Sequence, residues 1–235
     1  MGAGVRATVT DPREDYLAAI YRLQAAGQEP VGTTELARVL GVTPASATGM
    51  CRRLARQGLV HYRGYAGVTL TEKGKKLALD VVRRHRLAER FLTDVLGIGW
   101  DRVDEMAHRL EHALPPEVIE RFEELLGHPE TCPHGYPIPQ RDGTVPEREE
   151  QALAELAVGQ SAVIARVEER DPALLRHLAR QELVPGRRVQ VLDRDGYDGL
   201  MVLSVEGRRV TVGQRTARAV YVTRPPAGEP ARPRS

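Results

Sequence analysis

The sequence predicts a mainly α protein with a small β portion: an N-terminal winged helix-turn-helix, a helical segment and a C-terminal small β-barrel. Three observations support this fold class. Apolar residues recur at helical spacing over much of residues 12–125. Within that stretch, two short helices joined by "GVT" precede a two-stranded hairpin. Beyond residue 150, short runs of alternating hydrophobicity are separated by Asp-Gly and Glu-Gly turns.

The composition and charge of the chain narrow the class of protein. The 235 residues carry a net charge of +2, but residues 1–75 carry +4 and residues 76–140 carry −4. A basic segment suits a polyanion, and an acidic segment suits cations. There is no signal-peptide core or membrane-spanning apolar run, and the two cysteines do not make a disulfide framework. We therefore expect a cytoplasmic protein that does not enter a membrane.

The first three helices are predicted from the residues at their ends. The first helix begins after an Asp11 cap and ends at Gly27, with Asp15 in its first turns. Next, "TTELARVLG" predicts a helix with a Thr33 cap, and "TPASATGMCRRLARQG" predicts another with a Thr43 cap. Two short helices in this arrangement are typical of a helix-turn-helix, whose second helix enters the major groove of DNA.

The third helix has one apolar face and one face that is small, polar and then basic. The predicted buried stripe consists of Ala47, Met50, Cys51 and Leu54. Small residues at the start of the opposite face would let the helix approach bases, and the arginines farther along would meet phosphates. Gly49 costs about 1 kcal/mol relative to Ala in a helix interior, which a close approach to DNA would explain. A solvated helix face is the alternative.

The segment "LVHYRGYAGVTLT" predicts a hairpin directly after the third helix, with Arg63 near its tip. The order helix, turn, helix, hairpin is that of a winged helix. Winged helices also mediate protein contacts, but the basic charge of this segment favours double-stranded DNA. The residues predicted to contact DNA are Thr43, Ala45, Ser46, Thr48, Gly49, Arg52, Arg53 and Arg63.

Residues 76–140 are predicted to form a helical domain that dimerises. The segments "EKGKKLALDVVRRHRLAERFLTDVLG", "DRVDEMAHRLEHAL" and "EVIERFEELLG" have the pattern of amphipathic helices. About 70 residues are few for an independent core. We therefore expect their apolar faces to pack on a second copy of the chain, and the resulting homodimer to bind a palindromic operator.

The C-terminal part of the chain is predicted to be a separate β domain. Residues 141–150, "RDGTVPEREE", are polar and predict a linker after the winged helix of residues 1–75 and the helical domain of residues 76–140. Beyond the linker, "QSAVIARVEE", "GRRVQVLDRDG", "LMVLSVEG" and "RRVTVG" predict the strands of a small β-barrel over residues 151–226. Residues 227–235 are predicted to be disordered.

The segment "HRLEH" predicts a metal site on the helical domain. His108, Glu111 and His112 would share one face of a helix, because spacings of three and four residues return to the same side. On the preceding helix His85 and Glu89 are four residues apart, and Asp104 precedes His108 by another four. Two such groups on consecutive helices of an acidic segment favour metal coordination over a charged surface.

The same five letters allow an enzymatic interpretation. H-x-x-E-H is the pattern of zinc peptidases in which two histidines hold the ion and the glutamate, here Glu111, is the general base. That interpretation needs a third protein ligand and a substrate cleft, and it leaves the winged helix unexplained. We therefore expect a protein that is not an enzyme.

Nearly the whole chain resembles the diphtheria toxin repressor family of metal-dependent transcriptional regulators. The resemblance includes "EDYLAAIY", "VTPASATGM", "GVTLTEKGKKLA", "RHRLAERFL" and "RLEHALPPEVIERFEELLGHPETCPHGYPIP". It also implies that the C-terminal domain is an SH3-like domain of the FeoA type. The implied function is a repressor that binds DNA when a metal co-repressor is present and that controls genes of metal homeostasis. A winged-helix regulator with a structural metal or none, and a small-molecule effector, is the alternative.

The resemblance also implies two metal sites. The primary site would consist of Asp15, His108, Glu111 and His112. The ancillary site would consist of His85, Glu89 and Asp104, with Glu168 and Asp171 added from the C-terminal domain. A carboxylate at position 15 is typical of manganese-responsive members, so Mn²⁺ is expected first, with Fe²⁺, Co²⁺ and Zn²⁺ as alternatives.

Several positions depart from the pattern of the family or invite another interpretation. Position 108 is more usually Cys or Glu, and Ala18 replaces a further acid of the manganese-responsive members, so a binuclear manganese cluster is not implied. Cys132, two residues before His134, is interpreted as part of a structural crossing segment, and Cys51 as core. Asp15 lies in the DNA-binding segment and His112 in the helical one. An ion held by both would therefore fix the direction of each recognition helix.

Overall fold

The computed structural model describes residues 11–197 and 199–224. These residues form two compact units. The first unit comprises the described residues up to 91 together with 105–129 and 138–145, and the second comprises 92–104, 130–137 and the described residues from 146 onward. The predicted disordered tail, residues 227–235, lies outside the described residues.

Six α-helices and a hairpin lie in the N-terminal half of the chain, up to Leu125. The helices are α1 (Pro12–Ala25), α2 (Thr33–Leu40), α3 (Pro44–Arg56), α4 (Glu72–Arg90), α5 (Val103–Glu111) and α6 (Pro116–Leu125). The hairpin strands are β1 (Val60–Tyr62) and β2 (Val68–Leu70), joined through a 3₁₀ turn at Gly64–Ala66. The predicted winged helix-turn-helix is therefore confirmed.

Side-chain caps fix where α1 and α3 begin. The Asp11 carboxylate accepts the Arg13 N–H at 3.0 Å, and the Thr43 hydroxyl accepts the Ser46 N–H at 3.2 Å, as predicted. The predicted Thr33 cap is wrong. Gly32 occupies the cap position of α2 without a side-chain hydrogen bond, and Thr33 is already helical. A glycine is tolerated at a helix cap because its small size leaves the first amide groups accessible to water.

The winged helix is built around one apolar core. Its largest fully buried side chains include Leu17, Ile20, Leu36 and Leu54, which come from α1, α2 and α3. The predicted stripe of α3 is buried at Ala47, Cys51 and Leu54, whereas Met50 is only partly buried. Because α1 shares this core with α3, the position of α1 and the position of the recognition helix are coupled.

The long helix predicted from residue 71 to Gly97 is not one regular α-helix. It begins at Glu72 behind a Thr71 cap, and it changes at Phe91 into a π-helical turn, Phe91–Val95. A π-helical turn contains an extra residue, which rotates the side chains that follow it. The helical pattern of the sequence does not predict this local change.

The second unit contains a six-stranded antiparallel sheet. Its strands are β3 (Gln151–Ala152), β4 (Ser161–Val167), β5 (Arg188–Arg194), β6 (Met201–Val205), β7 (Arg208–Val212) and β8 (Val220–Thr223), in the spatial order β3-β8-β4-β5-β6-β7. The four predicted runs are strands β4 to β7. Within residues 11–197 and 199–224, no ladder of backbone hydrogen bonds joins β3 to β7. The sheet is therefore open, whereas a closed barrel was predicted.

Two helices in the second unit were not predicted. They are α7 (Pro172–Arg180), which is capped by Asp171, and α8 (Gln214–Arg218). Leu175 and Leu178 of α7 are buried against the sheet. Among the helices in the described part of the chain, none is long and apolar enough to cross a bilayer.

Candidate metal centre

Helix α5 and the turn after it place three donor side chains side by side. His108 and Glu111 lie on α5, which ends at Glu111, so His112 is the first residue beyond the helix. Oε1 of Glu111 lies 2.9 Å from Nδ1 of His108 and 3.1 Å from Nε2 of His112. The three side chains converge as their spacing suggested, although His112 is not on the helix itself.

Helix α1 brings Asp15 to the same place. Oδ1 of Asp15 lies 2.8 Å from Nε2 of His112, although 97 residues separate the two in the chain. One ligand atom from each of Asp15, His108, Glu111 and His112 lies within 4.8 Å of the others. All four residues implied for the primary site are therefore neighbours, and we refer to them as the first cluster.

The carboxylate of Glu111 is buried among imidazoles. Its side chain is 3% exposed, and Oε2 lies 2.6 Å from Nδ1 of the buried His85. Burial alone would raise the pKa of Glu111, but hydrogen bonds from His108, His112 and His85 outweigh it and hold the pKa well below its usual range. Glu111 is therefore a permanent negative charge in the interior of the first unit.

The charge of Glu111 raises the pKa values of two histidines beside it. The hydrogen bond to Glu111 raises the pKa of His112 to about 9, with a smaller contribution from Glu14. A separate hydrogen bond between His108 and Glu111 raises the pKa of His108, whereas burial raises the pKa of Asp15. His112 is 4% exposed and His108 is 46% exposed, so the cluster faces solvent through His108.

The donor set fits a divalent cation. Two carboxylates and two imidazoles would hold it, and their charges would balance those of the ion. Oxygen donors favour Mn²⁺ and Fe²⁺, and imidazoles also bind Co²⁺ and Zn²⁺. Three imidazole nitrogens surround the buried Glu111 carboxylate. A bound cation would balance the negative charge of this carboxylate in their place.

Within the first unit, two members of the predicted ancillary site are neighbours. Nε2 of His85 lies 3.6 Å from Oε1 of Glu89, and both side chains are buried. The other predicted members, Asp104, Glu168 and Asp171, belong to the second unit. Asp171 caps α7 through the Ala173 and Leu174 amides and pairs with Arg215 at 3.1 Å. The ancillary site stays a prediction.

The second unit places Glu169 beside Cys132 and His134, which we had interpreted from the sequence as part of a structural segment. Nδ1 of His134 lies 4.0 Å from Sγ of Cys132 and 3.8 Å from Oε2 of Glu169. Nε2 of His134 lies 2.8 Å from the carbonyl oxygen of Trp100 and donates to it, so Nδ1 is the ring nitrogen that faces the thiol and the carboxylate. We refer to Cys132, His134 and Glu169 as the second cluster.

The alternation of side chains along β4 indicates that Glu169, and not Glu168, faces the inner side of the sheet. Side chains alternate between the two faces of a strand, and Val167 at the end of β4 is buried. Glu169 shares the parity of Val167, so an extended chain turns it to the inner side. The alternation therefore distinguishes the two glutamates, and the resemblance alone did not.

The face of α3 predicted to contact DNA is accessible. Thr48 is partly buried, and the other predicted residues are exposed: Thr43, Ala45, Ser46, Gly49, Arg52, Arg53 and Arg63. A Cβ atom added to Gly49 would have no heavy atom within 4 Å beyond its immediate neighbours and its own helix backbone. Packing within the protein therefore does not require a glycine there, which agrees with close approach to a ligand.

Three family models match successive parts of the chain. Residues 8–68 match the N-terminal DNA-binding domain of the iron-dependent repressors, and residues 71–140 match their metal-binding and dimerisation domain. Residues 151–224 match the FeoA domain. The order of these matches is that of the predicted winged helix, helical domain and FeoA-type domain.

Similar proteins include regulators named for iron. The iron-dependent repressor IdeR of Mycobacterium bovis is 34% identical over 226 residues, which cover 91% of this chain and 97% of that protein. The diphtheria toxin repressor of Corynebacterium glutamicum is 37% identical over 131 residues, which cover 56% of this chain and 57% of that protein.

Similar solved structures include regulators named for manganese. A manganese-dependent transcriptional repressor in complex with manganese is 38% identical, with a TM-score of 0.85 over 90% of this chain and 99% of that one. ScaR with bound Cd²⁺ is 32% identical, with a TM-score of 0.75 over the same shares of the two chains. The resemblance is confirmed: the chain belongs to the iron-dependent, or diphtheria toxin, repressor family of metal-dependent DNA-binding transcriptional regulators.

Proposed function

We propose that this protein represses genes of metal homeostasis when Mn²⁺ occupies the first cluster. The observation that carries the proposal is the 2.8 Å contact between Asp15 of α1 and His112 beyond α5. Asp15 belongs to the helix that shares its core with the recognition helix α3. A ligand set that spans α1 and α5 therefore couples the occupancy of the site to the position of the DNA-reading surface.

The energetic consequence follows from linkage. If the four donors bind the cation 100-fold more tightly in the arrangement that fits DNA, that arrangement gains about 2.7 kcal/mol at saturation. The ion supplies the positive charge that balances Asp15 and Glu111. Asp15 then stays beside His112, and this contact restricts the movement of α1. DNA binding therefore costs less conformational entropy, because α1 is already ordered.

The donor chemistry supports Mn²⁺ with Fe²⁺ as the next choice. Asp15 and Glu111 are hard oxygen donors, which suit both ions. His108 and His112 also admit Co²⁺ and Zn²⁺, which bind more tightly to most nitrogen sites. A similar structure contains manganese, whereas IdeR is named for iron. We therefore propose that availability in the cell decides between the ions, and that Mn²⁺ is the physiological effector.

We further propose that the repressor acts as a homodimer on a palindromic operator. Two copies of α3 related by a two-fold axis would enter successive major grooves about 34 Å apart, or at a multiple of that spacing. Gly49 and the small residues before it would lie nearest the bases, and Arg52 and Arg53 would meet phosphates. The proposed site of action is the cytoplasm.

The second cluster supports a separate role in binding a softer cation. A thiol, an imidazole and a carboxylate form a mixed donor set typical of Zn²⁺ and other borderline ions. The carbonyl of Trp100 orients the ring of His134, so that Nδ1 faces Cys132 and Glu169. We propose that Cys132, His134 and Glu169 bind such an ion and that the ion stabilises the fold of the second unit.

The zinc peptidase alternative is disfavoured by the state of Glu111. A general base needs an accessible oxygen and a pKa near the working pH. Glu111 is buried, both of its oxygens face imidazole nitrogens, and its pKa is held low. The alternative with a small-molecule effector makes a different prediction, namely DNA binding that a chelator does not change.

The decisive experiment measures DNA binding by the full chain as a function of metal. The protein and a DNA fragment from upstream of metal-uptake genes would be titrated with Mn²⁺, Fe²⁺, Co²⁺ and Zn²⁺ at a fixed salt concentration. Asp15→Ala is expected to abolish the metal-dependent increase while the protein stays a folded dimer by sedimentation. Glu72→Ala, an exposed acid at the start of α4, is the matched control. Unchanged metal stimulation in Asp15→Ala would refute the coupling of α1 to α5.

A further inference from the structure

Glu14 contacts the first cluster from outside the implied ligand set. Its Oε2 lies 2.8 Å from Nδ1 of His112, whereas Asp15 contacts Nε2 of the same ring. The two ring nitrogens point in different directions, so Glu14 and Asp15 lie on different sides of the imidazole. A cation held by Nε2 would have Asp15 as a neighbour, and Glu14 would lie beyond the ring.

Arg84 of α4 holds Glu14 in place. Its Nη2 lies 3.0 Å from Oε1 of Glu14, and its Nη1 donates to the backbone oxygen of Glu111 at 2.5 Å. Its Nε donates to Asp80 at 3.1 Å, and the side chain is only 13% exposed. One guanidinium therefore connects α1, α4 and the end of α5 around His112.

The hydrogen bond assigns a role to each nitrogen of His112. A carboxylate accepts hydrogen bonds, so the Nδ1 that faces Glu14 carries a hydrogen. The nitrogen available to a cation is then Nε2, which faces Asp15 and Glu111. Carboxylate partners of this kind fix the ring orientation of metal-binding histidines and increase their basicity.

We propose that Glu14, anchored by Arg84, is a positioning residue that sets the affinity of the first cluster for its cation. This inference rests on the proposed function, because it deepens the same site. Glu14 acts through His112 and does not bind the ion. Arg84 limits the movement of Glu14, so the imidazole is already oriented before a cation arrives.

A surface ion pair in the same unit provides a matched control. Glu35 lies in the first turn of α2 and pairs with Arg38 at 2.6 Å. Like Glu14, it is a first-turn glutamate bound to an arginine, and both of its carboxylate oxygens accept hydrogen bonds from Arg38. Glu35→Ala therefore removes a comparable ion pair and leaves the first cluster intact.

The test uses the full-length protein prepared free of metal. The dissociation constant of Mn²⁺ is measured by chelator competition, and the Co²⁺-loaded protein is examined by visible absorption, which reports the geometry of the ligands. Glu14→Ala is expected to weaken Mn²⁺ binding by about 10- to 100-fold and to change the Co²⁺ spectrum. Glu35→Ala is expected to stay within about twofold of the natural protein, as surface pairs contribute little.

Further variants keep the proposal open to refutation. If Glu14→Ala does not fold, Arg84→Met carries the test and is expected to weaken Mn²⁺ binding in the same direction. When both fold, the double variant should lose little more than Glu14→Ala alone, because the two residues act through one hydrogen bond. Mn²⁺ affinity within twofold of the natural protein, with an unchanged Co²⁺ spectrum, overturns the positioning role.

His112→Ala separates this inference from the proposed function. If His112→Ala loses Mn²⁺ binding and Glu14→Ala does not, the proposed function stands and the positioning role is refuted. If the natural protein itself does not bind Mn²⁺ at the first cluster, both are refuted.

Discussion

The two donor clusters of this protein differ in chemistry and in exposure. The first cluster combines two carboxylates with two imidazoles, one of which, His108, is 46% exposed. The second cluster combines a thiol, an imidazole and a carboxylate, and its His134 is fully buried. Hard donors near solvent suit an ion that exchanges with the cell, whereas a buried thiol suits an ion that is retained. We therefore expect the first cluster to sense metal and the second to have a structural role.

The two clusters are also assembled differently along the chain. Asp15 and His112 are 97 residues apart, so the first cluster depends on the packing of α1 beside α5. Cys132 and His134 come from one short crossing segment, and Glu169 follows the end of β4. Occupancy of the first cluster therefore constrains distant elements. Occupancy of the second constrains a segment and a strand that already share hydrogen bonds, such as that from the Val167 amide to the His134 carbonyl.

Paired substitutions in the two clusters should give the largest difference. His112→Ala is expected to raise the Mn²⁺ concentration required for DNA binding by about 100-fold or more, because it removes a ligand and its contact with Asp15. Cys132→Ser is expected to leave that concentration within about threefold. DNA binding measured by fluorescence anisotropy over a Mn²⁺ titration tests both. A loss of similar size in Cys132→Ser would remove the distinction between a sensing and a structural cluster.

Lowering the pH should weaken the first cluster by a smaller and calculable amount. The hydrogen bond to Glu111 raises the pKa of His112 to about 9, so at neutral pH a cation must displace a proton from this ring. With one proton released, the dissociation constant of Mn²⁺ should increase about tenfold for each unit by which pH falls below 9. Chelator competition at several pH values, with calorimetry in buffers of different ionisation enthalpy, measures both the slope and the proton count. An affinity that stays flat from pH 6.5 to 8.5 would contradict the protonated state of His112.

His108→Glu should have the smallest effect and should change selectivity more than affinity. The side chain is half exposed, so its loss as an imidazole removes only part of the coordination. A third carboxylate would favour Mn²⁺ over Zn²⁺, and we expect the ratio of the two dissociation constants to change by roughly three- to tenfold. Competition between the two ions for one protein sample gives the ratio directly. A ratio that does not change would show that His108 is not a ligand.

Much of the fold could be predicted because local signals agreed with tertiary packing. Asp11 and Thr43 cap their helices as predicted, and the hairpin around Gly64 forms the wing. The Thr33 cap and the regular helix up to Gly97 were wrong. A glycine at a cap and a π-helical turn are local choices with small energy differences, and the hydrophobic pattern does not encode them.

Members of the site could be predicted only where they lie close together in the sequence or where the resemblance to the family includes them. The spacing of His108, Glu111 and His112 indicated metal binding by itself, whereas the addition of Asp15 required the resemblance. Glu14 and Arg84 were not found, because a carboxylate and a guanidinium on amphipathic helices have the pattern of ordinary surface charges. Cys132 and Glu169 were not combined because their proximity depends on how the crossing segment meets β4.

The partial exposure of His108 has a consequence for timing. Within the first cluster Glu111 and His112 are buried, and Asp15 is 17% exposed, so water reaches the site mainly past one imidazole. Detachment of His108 would be the opening event of release, and its rate would limit how soon transcription resumes after the supply of metal falls. A half-exposed side chain would in this way determine the response time of the regulator.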